Sequence, residues 1–295
     1  MLYPSRKRHV DTHVYIDGLE ISVNEVDLNS LVLLPFYKTY SNSVVVLACE
    51  YQNSLCIMYY SSYYTQINGL YIYDKSIRTW TFISSNTRIT KSAYFLLSYN
   101  DELHLYWENQ NDDLFDYVFN GTTWVQERTY SNIYLSDYYD LVYFNGKIYA
   151  VANPNVSTTM QLVRISTTDN TFEILCNCPV SGTARLVVYD NEVHILSGTK
   201  HYKWNDTSLE TVSTIPLSLS DEIAVVNNNK IHIIKDFAHY SWDGSSWTQE
   251  SDSLFLHDAH CQGVTINNVS YLLSNYGIIG IEPLGTITPK DVTAE

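Results

Sequence analysis

Residues 186–195 read Leu-Val-Val-Tyr-Asp-Asn-Glu-Val-His-Ile, and the fold can be predicted from this pattern. Two short runs of strand-forming residues lie on either side of Asp190 and Asn191. Apolar and polar residues that alternate one by one predict β-strands with one buried face. Two turn-forming residues between such runs predict a tight antiparallel β-hairpin.

The same hairpin pattern occurs five more times along the chain. When all six copies are aligned at their second strands, neighbouring copies lie between 38 and 48 residues apart. The other copies are found at residues 44–57, 94–105, 141–150, 223–233 and 264–272. The regular spacing indicates a repeat protein.

A second hairpin pattern follows each of the first five copies. In it, an aromatic residue or Ile before the turn is matched by an aromatic residue or Leu after the turn, as cross-strand pairs require. These segments are residues 71–80, 117–124, 163–172, 201–209 and 239–247. Two hairpins per repeat make a four-stranded antiparallel sheet, and repeats of this length predict the blades of an all-β propeller.

The two ends of the repeat region are predicted to share one blade. Residues 13–21 match the second-hairpin pattern, whereas residues 277–283 lack its Trp. We therefore expect residues 10–26 to complete the last blade and to close a ring of six blades. Seven blades remain possible if these two segments belong to different blades.

This organisation divides the chain into three parts. Residues 1–9 are predicted to be a basic N-terminal arm, residues 10–283 a single propeller, and residues 284–295 a C-terminal tail.

Residues 73–80 begin with Tyr and end with Trp, with six residues between them. In this spacing the chain resembles the kelch-type β-propeller family over residues 10–283. The glycine doublet of that family is absent from the second strands. The resemblance implies a propeller fold and carries no specific function, because propellers include enzymes, lectins and scaffolds.

Composition excludes several classes of protein. The 295 residues include 32 Asp and Glu against 17 Lys and Arg, a net charge of −15, which argues against nucleic-acid binding. The longest apolar runs are of strand length, so no membrane insertion is expected. The basic residues 1–9 are not followed by an apolar segment, so we expect no secretory signal and predict synthesis in a cytoplasm.

The sequence contains no convincing catalytic or cofactor motif. His104, His194 and His232 share one repeat position, and His13, His201 and His239 share another. Both sets are expected to pack between blades, because positions related by rotation converge only near the axis. We therefore predict no metal, no cofactor and no enzymatic activity.

The cysteines are expected to be reduced. Cys49 and Cys56 should face each other across the first hairpin as two small buried side chains.

Tyrosine is the most unusual component, with 26 residues. Tyr, Ser and Asn together give rigid contact area with adaptable hydrogen bonds, as binding surfaces do. The alternative is that several of these tyrosines pack between blades. The candidate binding surface consists of Tyr59, Tyr60, Tyr63, Tyr64, Tyr130, Tyr134, Tyr138 and Tyr139.

These features favour a non-catalytic structural or interaction protein. The composition resembles that of phage structural proteins, so the main hypothesis is a virion component of the tail, neck or adsorption apparatus, made in the host cytoplasm. Its partners would be other virion or scaffold proteins and a host surface glycan. The alternatives are a carbohydrate-binding, lectin-like propeller, in which Trp and Tyr stack on sugars, and an intracellular kelch-like scaffold located in the cytoplasm.

Overall fold

The computed structural model consists of β-strands and turns. It describes residues 13–16, 19–22, 31–32, 44–61, 69–74, 79–84, 93–109, 112–135, 140–154, 159–180, 183–219, 223–235, 238–251, 262–267, 269–274 and 277–281. No helix occurs in these residues, and so none that could cross a membrane. The predicted all-β propeller architecture is confirmed.

The described part of the chain contains 27 strands. They are β1 (His13–Ile16), β2 (Leu19–Ser22), β3 (Leu31–Val32), β4 (Val44–Tyr51), β5 (Ser54–Ser61), β6 (Gly69–Asp74), β7 (Thr79–Ser84), β8 (Ala93–Tyr99), β9 (Glu102–Glu108), β10 (Leu114–Phe119), β11 (Trp124–Tyr130), β12 (Ile133–Tyr134), β13 (Leu141–Phe144), β14 (Lys147–Pro154), β15 (Gln161–Ser166), β16 (Phe172–Asn177), β17 (Ala184–Tyr189), β18 (Glu192–Ser197), β19 (Lys200–Trp204), β20 (Leu209–Thr214), β21 (Ile223–Asn227), β22 (Lys230–Lys235), β23 (Ala238–Trp242), β24 (Trp247–Ser251), β25 (Gln262–Ile266), β26 (Val269–Ser274) and β27 (Gly277–Ile281).

These strands form the six antiparallel sheets that the repeats predict. The sheets are β4–β7, β8–β11, β12–β16, β17–β20, β21–β24, and β25–β27 with β3. In the third sheet, β12 and β13 pair with successive parts of the same strand, β14. The inner strand of each sheet contacts that of the next, and β25 contacts β4, so these contacts run around a circuit.

The last sheet differs from the prediction in one respect. Its fourth strand is β3, which pairs with β27, and not the segment at residues 10–26. Within that segment β1 and β2 pair with each other as a separate two-stranded sheet. The short apolar strand of Leu31 and Val32 supplies the outer strand of the last sheet instead.

The inner hairpins have the predicted two-residue turns. Asn100 and Asp101 both have positive φ angles, 53° and 63°, and so do the equivalent pairs in the first, third, fourth and fifth sheets. Two successive positive φ angles define a type I′ turn, whose twist matches that of the strands. The Asn and Asp residues at these turns tolerate this conformation, which explains why they mark every repeat.

The outer hairpins repeat a second local structure. Asp243 Oδ1 accepts hydrogen bonds from the backbone N–H groups of Ser245 and Ser246, both at 2.9 Å. Asn120 and Asn205 make the same turn in the second and fourth sheets. The predicted cross-strand pairs flank these turns, as Trp242 opposite Trp247 shows.

The core lies between neighbouring sheets. Leu55 and Ile57 of the first sheet, for example, pack with Val269 and Tyr271 of the last. At Gly263 a Cβ atom would lie 2.1 Å from Val225 Cγ1, so only glycine allows β25 to approach β21 this closely. Close packing of this kind holds neighbouring sheets together.

Cys49 and Cys56 are directly opposite each other, and both are buried free thiols. The prediction of two small buried side chains is confirmed.

Candidate functional site

The inner strands of all six sheets surround a cavity of about 270 Å³. Its wall is largely apolar, with side chains such as Val187 and Val226. Four polar side chains interrupt this wall: Asp140, Arg185, Gln262 and Thr265. A mostly apolar cavity with a few converging polar groups is the usual form of a small-molecule site. We call it the axial cavity.

Three of the polar residues share one repeat position. Asp140, Arg185 and Gln262 each stand four residues before the end of their inner strand. The other three sheets carry buried apolar residues at this position, namely Leu47, Phe95 and Ile223. At one level of the axis, polar side chains from the third, fourth and sixth sheets therefore alternate unevenly with apolar side chains from the first, second and fifth.

Asp140 and Gln262 also join neighbouring sheets. Gln262 Oε1 accepts a hydrogen bond from Ala48 N at 2.8 Å, which ties the last sheet to the first. Asp140 accepts from Leu141 N at 3.1 Å and also from the backbone N–H of Leu186 in the next sheet. In both cases a side chain satisfies a backbone donor on the inner edge of the following sheet.

The electrostatics of the axial cavity centre on Asp140. Burial raises the pKa of its carboxyl group, while the positive charge of Arg185 and the two backbone donors partly oppose this rise. A carboxylate, a guanidinium, a primary amide and a hydroxyl together offer both donors and acceptors. This set suits an uncharged ligand that carries several hydroxyl groups.

The structure places the predicted tyrosine surface only in part. Tyr59 and Tyr130 are buried, so their rings pack between sheets and do not form an exposed surface. Tyr134 is 38% exposed on β12. Tyr60 lies in β5 opposite Val45, and nothing further is described of its side chain. Tyr63, Tyr64, Tyr138 and Tyr139 lie outside the described residues.

The histidines were predicted to pack between blades. In the fourth sheet His194 and His201 are paired within the sheet, and His201 also packs against Trp242 and Trp247 of the fifth sheet. His194 and His201 are buried, and His194 Nδ1 lies 2.7 Å from His201 Nε2. His201 Nδ1 is 3.1 Å from Ser213 Oγ, which accepts from Trp247 Nε1 at 2.9 Å. The indole N–H can only donate, so the Ser213 hydroxyl accepts from it and donates to His201 Nδ1. His201 Nε2–H then donates to His194 Nδ1.

The fifth sheet repeats this arrangement. His232 Nε2–H donates to the carbonyl of Asn227 at 3.2 Å, and His239 Nε2–H donates to His232 Nδ1 at 2.9 Å. Burial lowers the pKa of His232 and His239 to about 4, of His194 to about 4 and of His201 to about 3. All four imidazoles are therefore neutral at pH 7, as this hydrogen-bond order requires.

The second sheet replaces the second histidine with Asp116. Each of Asp116, His201 and His239 directly precedes a β-bulge in the third strand of its sheet. Asp116 is fully buried; its Oδ1 lies 2.9 Å from His104 Nδ1, and its Oδ2 accepts from Arg128 Nη1 at 2.7 Å. The hydroxyl of Tyr99 lies 2.9 Å from His104 Nδ1 and 3.4 Å from Asp116 Oδ2.

In the second-sheet cluster the two carboxylates are already paired with an arginine. His104, Asp116 and Glu127 place possible metal-ligating atoms within 4.8 Å of one another. However, Arg128 also lies 2.8 Å from Glu127 and so already supplies the positive charge between the two carboxylates.

Sequence reasoning did not identify the axial cavity. Asp140, Arg185 and Gln262 were not among the residues that the sequence predicted for a site. The available signal was their shared repeat position at the start of an apolar inner strand, which becomes clear once the turns are used to align the repeats.

Comparison with known proteins supports the fold. No protein-family description matches the sequence, and no curated protein matches it. Among similar solved structures is one titled as the SapL1 lectin in complex with alpha methyl fucoside, with a TM-score of 0.56 and 10% sequence identity. The match covers 89% of this chain and the whole of that one. At this identity the likeness shows a β-propeller fold alone.

Proposed function

We propose that this chain is a carbohydrate-binding propeller and that its site is the axial cavity. The observation that carries the proposal is the set of Asp140, Arg185 and Gln262 at one level of a cavity with otherwise apolar walls. Sugars present neighbouring hydroxyl groups on one face and C–H groups on the other. The hydroxyl groups of such a ligand can bond to the polar side chains of the cavity, and its C–H groups can pack against the apolar wall.

The likeness of the fold to that of a structure titled as a lectin in complex with a fucoside supports the same proposal. The same function is compatible with the predicted role as a virion component that recognises a host glycan. The virion role, the kelch relationship and the absence of catalysis stay predictions, because no observation bears on them.

The test is a glycan array on the full-length chain, followed by calorimetric titration with the best ligand and with α-methyl fucoside. Asp140→Asn is the informative variant, because an amide oxygen still accepts from Leu141 N and Leu186 N while the charge is lost. We expect the affinity to fall by about tenfold, since a hydrogen bond to a charged group is replaced by a neutral one.

Glu210→Gln on β20 is the matched control. It removes one exposed carboxylate far from the axis and should leave the affinity unchanged. No sugar binding across the array, or equal affinities of wild type and Asp140→Asn, would contradict the proposal.

A further inference from the structure

Among the described residues, the outer edge of the first sheet is open. Its outermost strand, β7, pairs with β6 on one side, and no strand in the described parts of the chain pairs with its other side. An open edge presents backbone N–H and C=O groups in the spacing that another extended strand needs.

β7 lacks the charged side chain that the comparable edges carry. The outermost strands of the second to fifth sheets each contain a glutamate, at Glu127, Glu173, Glu210 and Glu250. β7 reads Thr-Trp-Thr-Phe-Ile-Ser and contains no charged residue. Charges on edge strands discourage pairing with other chains, so the first sheet lacks a protection that the next four have.

β7 also exposes an aromatic ring. Phe82 is 48% exposed and touches Tyr71 edge-on, with ring centroids 5.2 Å apart. Ile174 holds the equivalent register position on β16, where it is 42% exposed. Exposed apolar area is therefore common to both edges. What distinguishes them is Glu173, next to Ile174, in place of Thr81.

The sequence around β7 has the opposite charge from the rest of the chain. Residues 75–91 contain Lys75, Arg78, Arg88 and Lys91 and no Asp or Glu, in a protein with a net charge of −15. Pairing of β7 with a second copy of this net-positive stretch of sequence is electrostatically unfavourable. A strand rich in carboxylates would be attracted.

We propose that the open edge of β7 binds an extended, acidic segment of a partner protein by strand addition, with Phe82 contacting an apolar side chain of that segment. In this mode the backbone hydrogen bonds give affinity, and alternate side chains give specificity. The proposal is independent of the carbohydrate site, which lies at the inner strands.

The test uses fluorescein-labelled peptides with the six-residue length of β7 and measures fluorescence anisotropy on the full-length chain. The first peptide alternates Glu and Val, the second has Lys in place of Glu, and the third is the Glu peptide with alternate backbone amides methylated. We expect only the first to bind, with an affinity that falls as salt is added.

Phe82→Glu should weaken binding of the Glu–Val peptide by about tenfold, because it places a carboxylate against an acidic strand. Ile174→Glu is the matched control, at the same register position on the third sheet, and should bind like the wild type. Circular dichroism of both variants establishes that the fold is retained.

Three results would overturn the proposal: equal binding of the Glu and Lys peptides, binding of the methylated peptide, or equal effects of Phe82→Glu and Ile174→Glu. A concentration-dependent dimer that Phe82→Glu abolishes would also overturn it, since a second copy would then occupy the edge.

Discussion

The second sheet and the fourth sheet each bury a histidine beside another polar side chain, but the side chains that bond to the histidine differ. Each buries a histidine on its second strand against a polar residue that precedes a bulge in the third. In the fourth sheet His194 is paired with His201, which is in turn bonded to Ser213, and all three are neutral. In the second sheet the corresponding residues are Asp116 and Arg128, and both are ions.

The difference shows how a buried polar position can be satisfied. A series of hydrogen bonds between neutral groups needs each proton on a particular nitrogen or oxygen. Protonation of a histidine at low pH removes an acceptor, so the stability of such a series depends on pH. A buried ion pair tolerates its burial only while both partners are present. The residues change together: Arg128 lies opposite Asp116, and Ser213 lies opposite His201.

Acidification should have the largest effect, and it should act through the neutral histidine pairs. Their pKa values in the folded state lie near 3 to 4, below the usual 6.5, so the unfolded chain takes up protons first as the pH falls. Their contribution to stability is therefore complete above pH 6.5. Below it, about 1.4 kcal/mol is lost per pH unit for each independent group.

Urea unfolding between pH 7.5 and pH 4.5 measures this loss. His201→Phe and His239→Phe each remove one pair and should make the pH dependence shallower. A pH profile that is the same in wild type and both variants would contradict the assignment of the acid sensitivity to these histidines.

Asp116→Ala should have the next largest effect. It leaves His104 buried without its carboxylate and leaves Arg128 with only the exposed Glu127 as an acidic partner, and we expect a loss of about 3–5 kcal/mol in the free energy of unfolding. Glu127→Gln is the control, because Glu127 also contacts Arg128 but is substantially exposed, and it should cost less than about 1 kcal/mol. The free energies of unfolding of both variants are measured with urea at pH 7. Similar losses in the two would contradict the expectation that the buried Asp116 contributes more to stability than the exposed Glu127.

Replacing the ionic residues of the second sheet with the neutral residues of the fourth should have the smallest effect on the free energy of unfolding. Asp116→His combined with Arg128→Ser reproduces the neutral pattern opposite His104 and removes both ions together. We expect a net loss of about 1–2 kcal/mol at pH 7, less than that of Asp116→Ala alone, because no charge is left unpaired.

The same double variant should lose more stability on acidification than the wild type. If it is as unstable as Asp116→Ala at pH 7, then the two chemistries are not interchangeable at this position.

Much of the fold could be predicted because its turns are local. Asn145 and Gly146, or Asn228 and Asn229, adopt positive φ angles that few other residues tolerate, so the hairpins are visible in the sequence. Cross-strand partners such as Tyr73 and Trp80 are also close in sequence. The number of repeats then follows by counting.

The candidate site was harder to predict because it depends on distant contacts. Arg185 lies next to Asp140 only because two inner strands approach across a sheet boundary. The outer strand of the last sheet is similar: Leu31 and Val32 show no turn or Trp signal, and only their pairing with β27 identifies them. Several of the predicted tyrosines lie in strands, where burial depends on the neighbouring sheet and not on the local sequence, as Tyr59 and Tyr130 show.

The pairing of β3 with β27 also sets an order of events during synthesis. Leu31 emerges from the ribosome before the first five sheets, but its partner Ile279 is made after all of them. The earlier sheets can form from consecutive hairpins as they appear, whereas the sixth sheet must wait for β27. The first five sheets are therefore made before the sixth can be completed, and the two edges that it joins meet only after β27 has been synthesised.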